Sequence, residues 1–214
     1  ALERLVAEKG DETAVSAATE RLGHRDAEVR AAAAQTLGRV GRKGDESVIE
    51  IVGKGLEDRE RGVRREAIEA LARLGAKGTA SILAAVCRRL DHRDPWVRAA
   101  AVEALARVAE EGDESVIAML SSQFKDRTTS VRSEAVKALA RVAKTGDEAV
   151  IEELCTHLDD RGASVRLEVV KALAKMSRKG DERVLAAVGK RLEDRVDDVK
   201  EAAQEALARM RRKH

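Results

Sequence analysis

Apolar residues fall along the chain in two alternating registers. In residues 45–78, Val48, Ile49, Val52 and Leu56 stand at i, i+1, i+4 and i+8, one face of a short helix. Val63, Ala67, Ala70, Leu71 and Leu74 then recur at i, i+4, i+7, i+8 and i+11, the stripe of a longer second helix. Leu56-Glu57-Asp58-Arg59 closes the first helix and forms the turn between them. Asp45 is placed to cap the first helix, its carboxylate accepting orphan N–H groups and complementing the dipole. Gly75 and Gly78 end the second, and Gly78 is expected to supply the positive φ of a helix C-cap. The pattern predicts two antiparallel helices in 34 residues.

That pattern returns without drift. Gly10-Asp11, Gly44-Asp45, Gly78-Thr79, Gly112-Asp113, Gly146-Asp147 and Gly180-Asp181 stand 34 residues apart. Nineteen residues after each glycine comes Val29-Arg30, Val63-Arg64, Val97-Arg98, Val131-Arg132, Val165-Arg166 or Val199-Lys200. Two landmarks in fixed register over six copies predict an all-α protein, an α-solenoid of antiparallel helix pairs whose units bury their apolar faces only against neighbours. The expected repeats are 11–44, 45–78, 79–112, 113–146, 147–180 and 181–214, forming one continuous solenoid over 1–214. Residues 1–10 resemble the tail of an upstream second helix, with Leu2, Leu5 and Val6 apolar, so the array is expected to continue upstream. At the other end Gln204 replaces Ile68, Val102, Val136 and Val170, a change that suits a last repeat facing water.

The third unit spells its inner turn as His92-Arg93-Asp94-Pro95-Trp96-Val97-Arg98, with Asp94 placed to cap and Pro95 at the first helical position. The order Leu-x-Asp-Arg-x-x-x-Val-Arg-x-x-Ala-x-x-Ala-Leu, carried by Leu56, Asp58, Arg59, Val63, Arg64, Ala67, Ala70 and Leu71, resembles the HEAT-repeat family. The resemblance covers essentially the whole chain. It implies a superhelix with second helices on its concave side, a ladder of Asp and Arg between successive turns, and roles in scaffolding, transport or assembly. Tetratricopeptide repeats share the period, but their Trp, Tyr, Phe and Pro signature is missing. The strict spacing leaves a consensus-like array open, whereas Gly38, Gly53 and Gly189, inside helices where alanine propagates better, favour a natural sequence.

Composition narrows the function. Lys and Arg number 41 against 39 Asp and Glu, a net charge of +2, too small for a generic phosphate binder. With no Tyr, one Phe and one Trp, the chain has no stacking platform for single-stranded nucleic acid and no aromatic cage. No apolar run approaches the roughly eighteen residues a membrane span needs, and a soluble, intracellular protein is expected. Cys87 and Cys155 occupy the same place two repeats apart, so stacked helices put them roughly 16–20 Å from each other, too far for a disulfide. They are expected as small buried or half-buried thiols. His24, His92, His157 and His214 cannot meet around one metal, and Cys155 beside His157 offers two ligands against the usual four. No nucleophile and base can be placed together, so neither catalysis nor a cofactor is expected.

Three basic rows run through the repeats. Arg25, Arg59, Arg93, Arg127, Arg161 and Arg195 lie in the inter-helix turn. Arg30, Arg64, Arg98, Arg132, Arg166 and Lys200 follow the buried valine, at the edge of the apolar face, where they can bridge to Asp58, Asp126, Asp160 or Asp194 and to loop carbonyls. The third row, Arg39, Arg73, Arg107, Arg141, Lys175 and Arg209, falls near the exposed side of the second helix. Glu69, Glu103 and Glu205 stand four residues before their arginines and are expected to pair with them. Lys137 and Lys171 take that place in the fourth and fifth units, making Lys137, Arg141, Lys171 and Lys175 the most basic stretch, diluted by Glu134 and Glu168. Trp96 replaces polar or small residues elsewhere and is read either as an exposed contact or as a ring packed across the turn. The expected function is a noncatalytic scaffold holding a protein or peptide on the second-helix face, through Arg39, Arg73, Arg107, Lys137, Arg141, Lys171 and Lys175 with Trp96 at the rim. Nucleic-acid backbone binding through the same row is the alternative.

Overall fold

The computed structural model describes residues 10–75 and 79–211. Twelve α-helices, three short 3-10 helices and no strand occur among the described residues. The chain divides into two compact units, Ala1–Glu110 and Glu111–His214. In the first, the short helices α1 (Glu12–Arg21), α3 (Glu46–Lys54) and α5 (Ala80–Cys87) alternate with the long helices α2 (Ala27–Val40), α4 (Arg61–Leu74) and α6 (Pro95–Val108). In the second, α7 (Glu114–Ser122), α9 (Glu148–Thr156) and α11 (Glu182–Gly189) alternate with α8 (Thr129–Val142), α10 (Ala163–Met176) and α12 (Asp197–Arg211). Short helices begin at residues 12, 46, 80, 114, 148 and 182 and long ones at 27, 61, 95, 129, 163 and 197, so the sequence period is also the structural one. The tail expected at 1–9, Gly78 and His214 lie outside the described residues.

Each short helix packs on the long one after it, and consecutive long helices lie side by side: α2, α4 and α6 in the first unit, α8, α10 and α12 in the second. The apolar stripes meet there. Leu37, Val52, Leu71 and Leu74 in the first unit and Leu120, Leu139, Leu154 and Leu173 in the second are completely buried. Small residues let the long helices close in. A Cβ on Gly38 would sit 2.6 Å from the Ala70 Cα, so α2 touches α4 where no side chain fits.

Caps set the helix ends as the sequence implies. Asp45 Oδ1 accepts from Ser47 and Val48 N–H at 3.0 and 3.2 Å, and Asp113 does the same for Ser115 and Val116 at 3.0 and 3.1 Å. Asp94 accepts from Trp96 N–H at 2.8 Å, with Pro95 opening α6. The repeat glycine plays a different part from the one expected. The long helices end on Gly41, Ala109, Ala143 and Ser177 in extended conformation. The positive-φ glycine comes three residues later, next to the capping aspartate, at φ 79° for both Gly44 and Gly112. Its N–H reaches across to the far end of the same hairpin: Gly44 donates to the Leu74 carbonyl at 2.7 Å, and Gly10, Gly112, Gly146 and Gly180 make the equivalent bond to Val40, Val142, Met176 and Met210. One orphan carbonyl at the end of each of those long helices is thereby satisfied.

The arginine after the buried valine forms the rungs of a ladder. Arg166 sends Nε and Nη2 to the two Asp194 oxygens, both at 2.7 Å, and Nη1 to the Asp160 carbonyl at 2.8 Å. Arg132 holds Asp160 in the same fork at 2.8 and 2.7 Å, and Arg30 holds Asp58 at 2.6 and 2.8 Å. Among the described residues Arg64 reaches only carbonyls, those of Asp58 and Arg59; His92 occupies the position of its acid. These rungs tie a long helix to its own turn, and the forks of Arg30, Arg132 and Arg166 also tie it to the turn of the following repeat. The hydrogen bond from Arg166 keeps the Asp194 carboxyl below its ordinary range. Burial alone would raise Asp58 and Asp160, but the bonds from Arg30 and Arg132 and from the backbone N–H groups of Glu60 and Gly162 outweigh it, and both carboxyls are lowered.

Candidate functional site

The long helices project the third basic row outward near their C-terminal ends, but the cations differ in what they touch. In the first unit Arg39 on α2 and Arg73 on α4 are exposed and make no hydrogen bond or ion pair with other described residues. Arg107 on α6 is half-buried and paired with Glu69 of α4. The spacing predicts an i,i+4 pair between Glu69 and Arg73; the observed bond runs to the next long helix instead. Side-by-side packing explains this, because Arg107 lies one repeat and one helical turn beyond Glu69, facing it across the groove between α4 and α6.

In the second unit Arg141 on α8 is exposed and likewise without a hydrogen-bonding or ionic partner among the described residues. Lys137 lies 3.4 Å from Glu134 and Lys171 3.6 Å from Glu168, the dilution expected from their spacing. Lys175 of α10 donates to the Ala140 carbonyl of α8 at 2.7 Å, a bond between neighbouring long helices. A shallow groove of about 150 Å³ runs between α10 and α12, walled by Lys171, Ala174, Ala202, Glu205, Ala206 and Arg209. Small residues on its floor and charges on its rims would admit a narrow chain.

Trp96 is 59% exposed, which decides between its two readings. It stands at the start of α6, about 17 Å along the helix from Arg107, so the structure does not gather it into the basic row. The turn arginines serve the fold in the second unit, where Arg161 donates to the Arg127 carbonyl at 2.9 Å. Cys87 and Cys155 are half-buried, and burial pushes both thiols up. His157 meets the Phe124 ring edge-on at 4.6 Å, a packing role rather than that of a ligand. Among the described residues no group of three or more His, Cys, Asp or Glu could hold a metal ion, and no helix is long and apolar enough to cross a membrane.

Stacked helix pairs in constant register, stapled by an Arg and Asp ladder, define an α-solenoid repeat protein. The HEAT-repeat pattern matches residues 1–72, 49–140 and 117–208. The chain belongs to the HEAT-repeat family. Among solved structures, it is similar to an engineered protein at 24% identity and TM-score 0.56, covering 92% of this chain and 98% of that one. A designed armadillo repeat protein in complex with the peptide (KR)4 is similar at 21% identity and TM-score 0.57, covering 92% and 99%. An archaeal HEAT-like repeats protein from Thermococcus onnurineus NA1 shares the fold at 13% identity and TM-score 0.51, covering 94% and 88%. Comparison with curated proteins finds no significant match.

Proposed function

We propose that this protein is a noncatalytic binding module that holds a protein or peptide on the face made by the long helices within a unit, acidic groups of the partner meeting Arg39 and Arg73 in the first unit or Arg141 in the second. The observation that carries this reading is the separation of that row into satisfied and unsatisfied cations. Arg107, Lys137, Lys171 and Lys175 are engaged within the protein, whereas Arg39, Arg73 and Arg141 project into water without a partner among the described residues. Adjacent long helices lie about 8–10 Å apart, close to three residues of an extended chain. A peptide crossing α2 and α4 therefore meets Arg39 and Arg73 at a spacing its own side chains can match. The designed armadillo relative solved with (KR)4 shows this general architecture with a peptide bound, there a basic one. A net charge of only +2 over the whole chain favours a protein partner over a nucleic-acid backbone.

The test is affinity capture from cell lysate with the wild-type chain and with R39E/R73E/R141E side by side, each with and without nuclease. A protein retained by the wild type in both arms and lost from the variant supports the reading. Capture that vanishes with nuclease assigns the face to nucleic acid, and equal capture by wild type and variant moves the site elsewhere. Circular dichroism of the variant should match wild type, since all three side chains are exposed.

A further inference from the structure

A cavity of about 320 Å³ opens in the first unit between the ends of α1 and α3, lined among others by Leu22, Gly23, Lys54, Gly55, Asp58 and Val63. The repeat register accounts for it. In the other repeats the place of Gly55 is taken by Arg21, Arg89, Gln123, His157 and Arg191. Arg89 is buried and reaches back to Glu57, Nη2 to Oε1 at 2.8 Å. Arg191 also reaches back: Nη1 lies 2.8 Å from Asp159 Oδ1 and 3.8 Å from Asp194 Oδ2, and donates to the Leu158 carbonyl at 3.0 Å. Glu57 and Asp159 both correspond to Gly23. Around Gly55 the arginine and its acid are therefore missing together, and the space they fill elsewhere is vacant.

The rest of the guanidinium's surroundings is retained. Leu22 corresponds to Leu158, Lys54 to Lys190, Asp58 to Asp194 and Val63 to Val199. The two aspartates are held identically. Asp58 Oδ1 accepts from Arg30 Nη2 and Glu60 N–H and Oδ2 from Arg30 Nε; Asp194 Oδ1 accepts from Arg166 Nη2 and Val196 N–H and Oδ2 from Arg166 Nε. Each carboxylate keeps acceptor capacity on Oδ2, the atom that faces Arg191 in the sixth repeat. Lys190 beside Arg191 shows that a neighbouring lysine is compatible with a guanidinium in this place.

We propose that this cavity binds a guanidinium group, an arginine side chain of a peptide or a free arginine-like ligand taking the position that Arg191 fills in its own repeat. The planar fork of donors matches a carbonyl beside a carboxylate, which an ammonium cannot span in the same way. The volume lies at the small end of ligand pockets, roughly 300–1,000 Å³, and suits one side chain rather than a folded segment. Without the counterpart of Asp159 the site is weak, with a Kd on the order of 1 mM. It lies at the turn end of the helix pairs, about 15 Å along α4 from Arg73, and is independent of the long-helix face.

A nitrogen-correlated NMR titration of the whole chain tests this with methylguanidinium, free arginine, acetyl-Gly-Arg-Gly-amide and its lysine counterpart. Saturable shifts at the amides of Leu22, Gly23 and Gly55 with the guanidinium probes, and none with the lysine peptide, are expected. Tighter binding of the arginine peptide than of free arginine identifies a peptide side chain as the source, and the reverse identifies a small molecule. G23D, which installs the missing acid, should tighten binding about tenfold, the weight of one charge-assisted hydrogen bond. An added Cβ at Gly23 meets nothing nearer than 3.7 Å, so that variant keeps the fold. G55R, which fills the cavity from within, should abolish binding; Ala67 crowds that position, so G23D decides if G55R fails to fold. Absence of saturable shifts in both wild type and G23D, equal response to lysine, or unchanged shifts in folded G55R would overturn the proposal.

Discussion

Arg166 carries its charge inside the protein, with a side chain only 4% exposed, and Asp194 is the reason it can. Removing the acid alone leaves that charge without its ionic partner, so D194A should lose about 3–5 kcal/mol in urea denaturation, while R166M/D194L should recover much of it. Acid should act on the same group. The folded carboxyls of Asp194, Asp160 and Asp58 lie below their unfolded values, so their contribution is fully present above about pH 4 and is lost as pH falls through the lowered folded values. The urea midpoint should hold steady from neutral pH down to about 4, then fall, and less steeply in D194N; an identical acid limb in that variant would remove Asp194 from the account. Two glycines make a second residue-scale contrast. G38A should destabilise by about 1–3 kcal/mol through overpacking against Ala70, whereas G189A, where an added Cβ meets nothing within 4 Å, should gain about 0.5–1 kcal/mol. The ladder was legible because valine, arginine and turn acid recur in step. The role of Gly38 was not, since close approach of two backbones leaves no mark in the periodicity of either helix.

At the scale of the element, the ends decide. Asp113→Ala should lower stability by about 1 kcal/mol through loss of the α7 cap, and Gly44→Ala by roughly 1–2 kcal/mol because its φ is 79°. Thermal melts of both variants check the pair, and a neutral G44A would mean that the loop readjusts to negative φ. The N-caps could be read directly, an aspartate next to a glycine before each of five apolar stripes. The glycine's destination could not be: its N–H bonds a carbonyl 30 residues further on, and such a bond follows from hairpin closure rather than from local turn chemistry. The same blindness covers the candidate face. Helical angle placed Arg39, Arg73 and Arg141 outside correctly, but the lateral offset of neighbouring helices sends Arg107 to Glu69 and Lys175 to Ala140. Sequence spacing along one helix carries no record of that offset.

At the scale of the whole molecule, stability is a sum of repeat and neighbour terms, because within each unit a helix pair buries its faces on its neighbour. Deleting residues 147–180 joins Gly146 to Asp181 in register and should leave helicity per residue unchanged with a cooperative melt; collapse of the circular dichroism signal would show that longer-range contacts matter. The loop glycines allow a finer view of the same property. Gly10, Gly44, Gly112, Gly146 and Gly180 each hold one amide proton in a bond that exists only while its own hairpin is closed. Their exchange with heavy water should be slow despite their loop positions, and should accelerate hairpin by hairpin as denaturant is added. Helical repeats built on one pattern crowd most of a nitrogen-correlated spectrum, yet glycines resonate apart from the crowd. Five protons thereby give the array its own local thermometers, one for each of five hairpins, which read where opening starts.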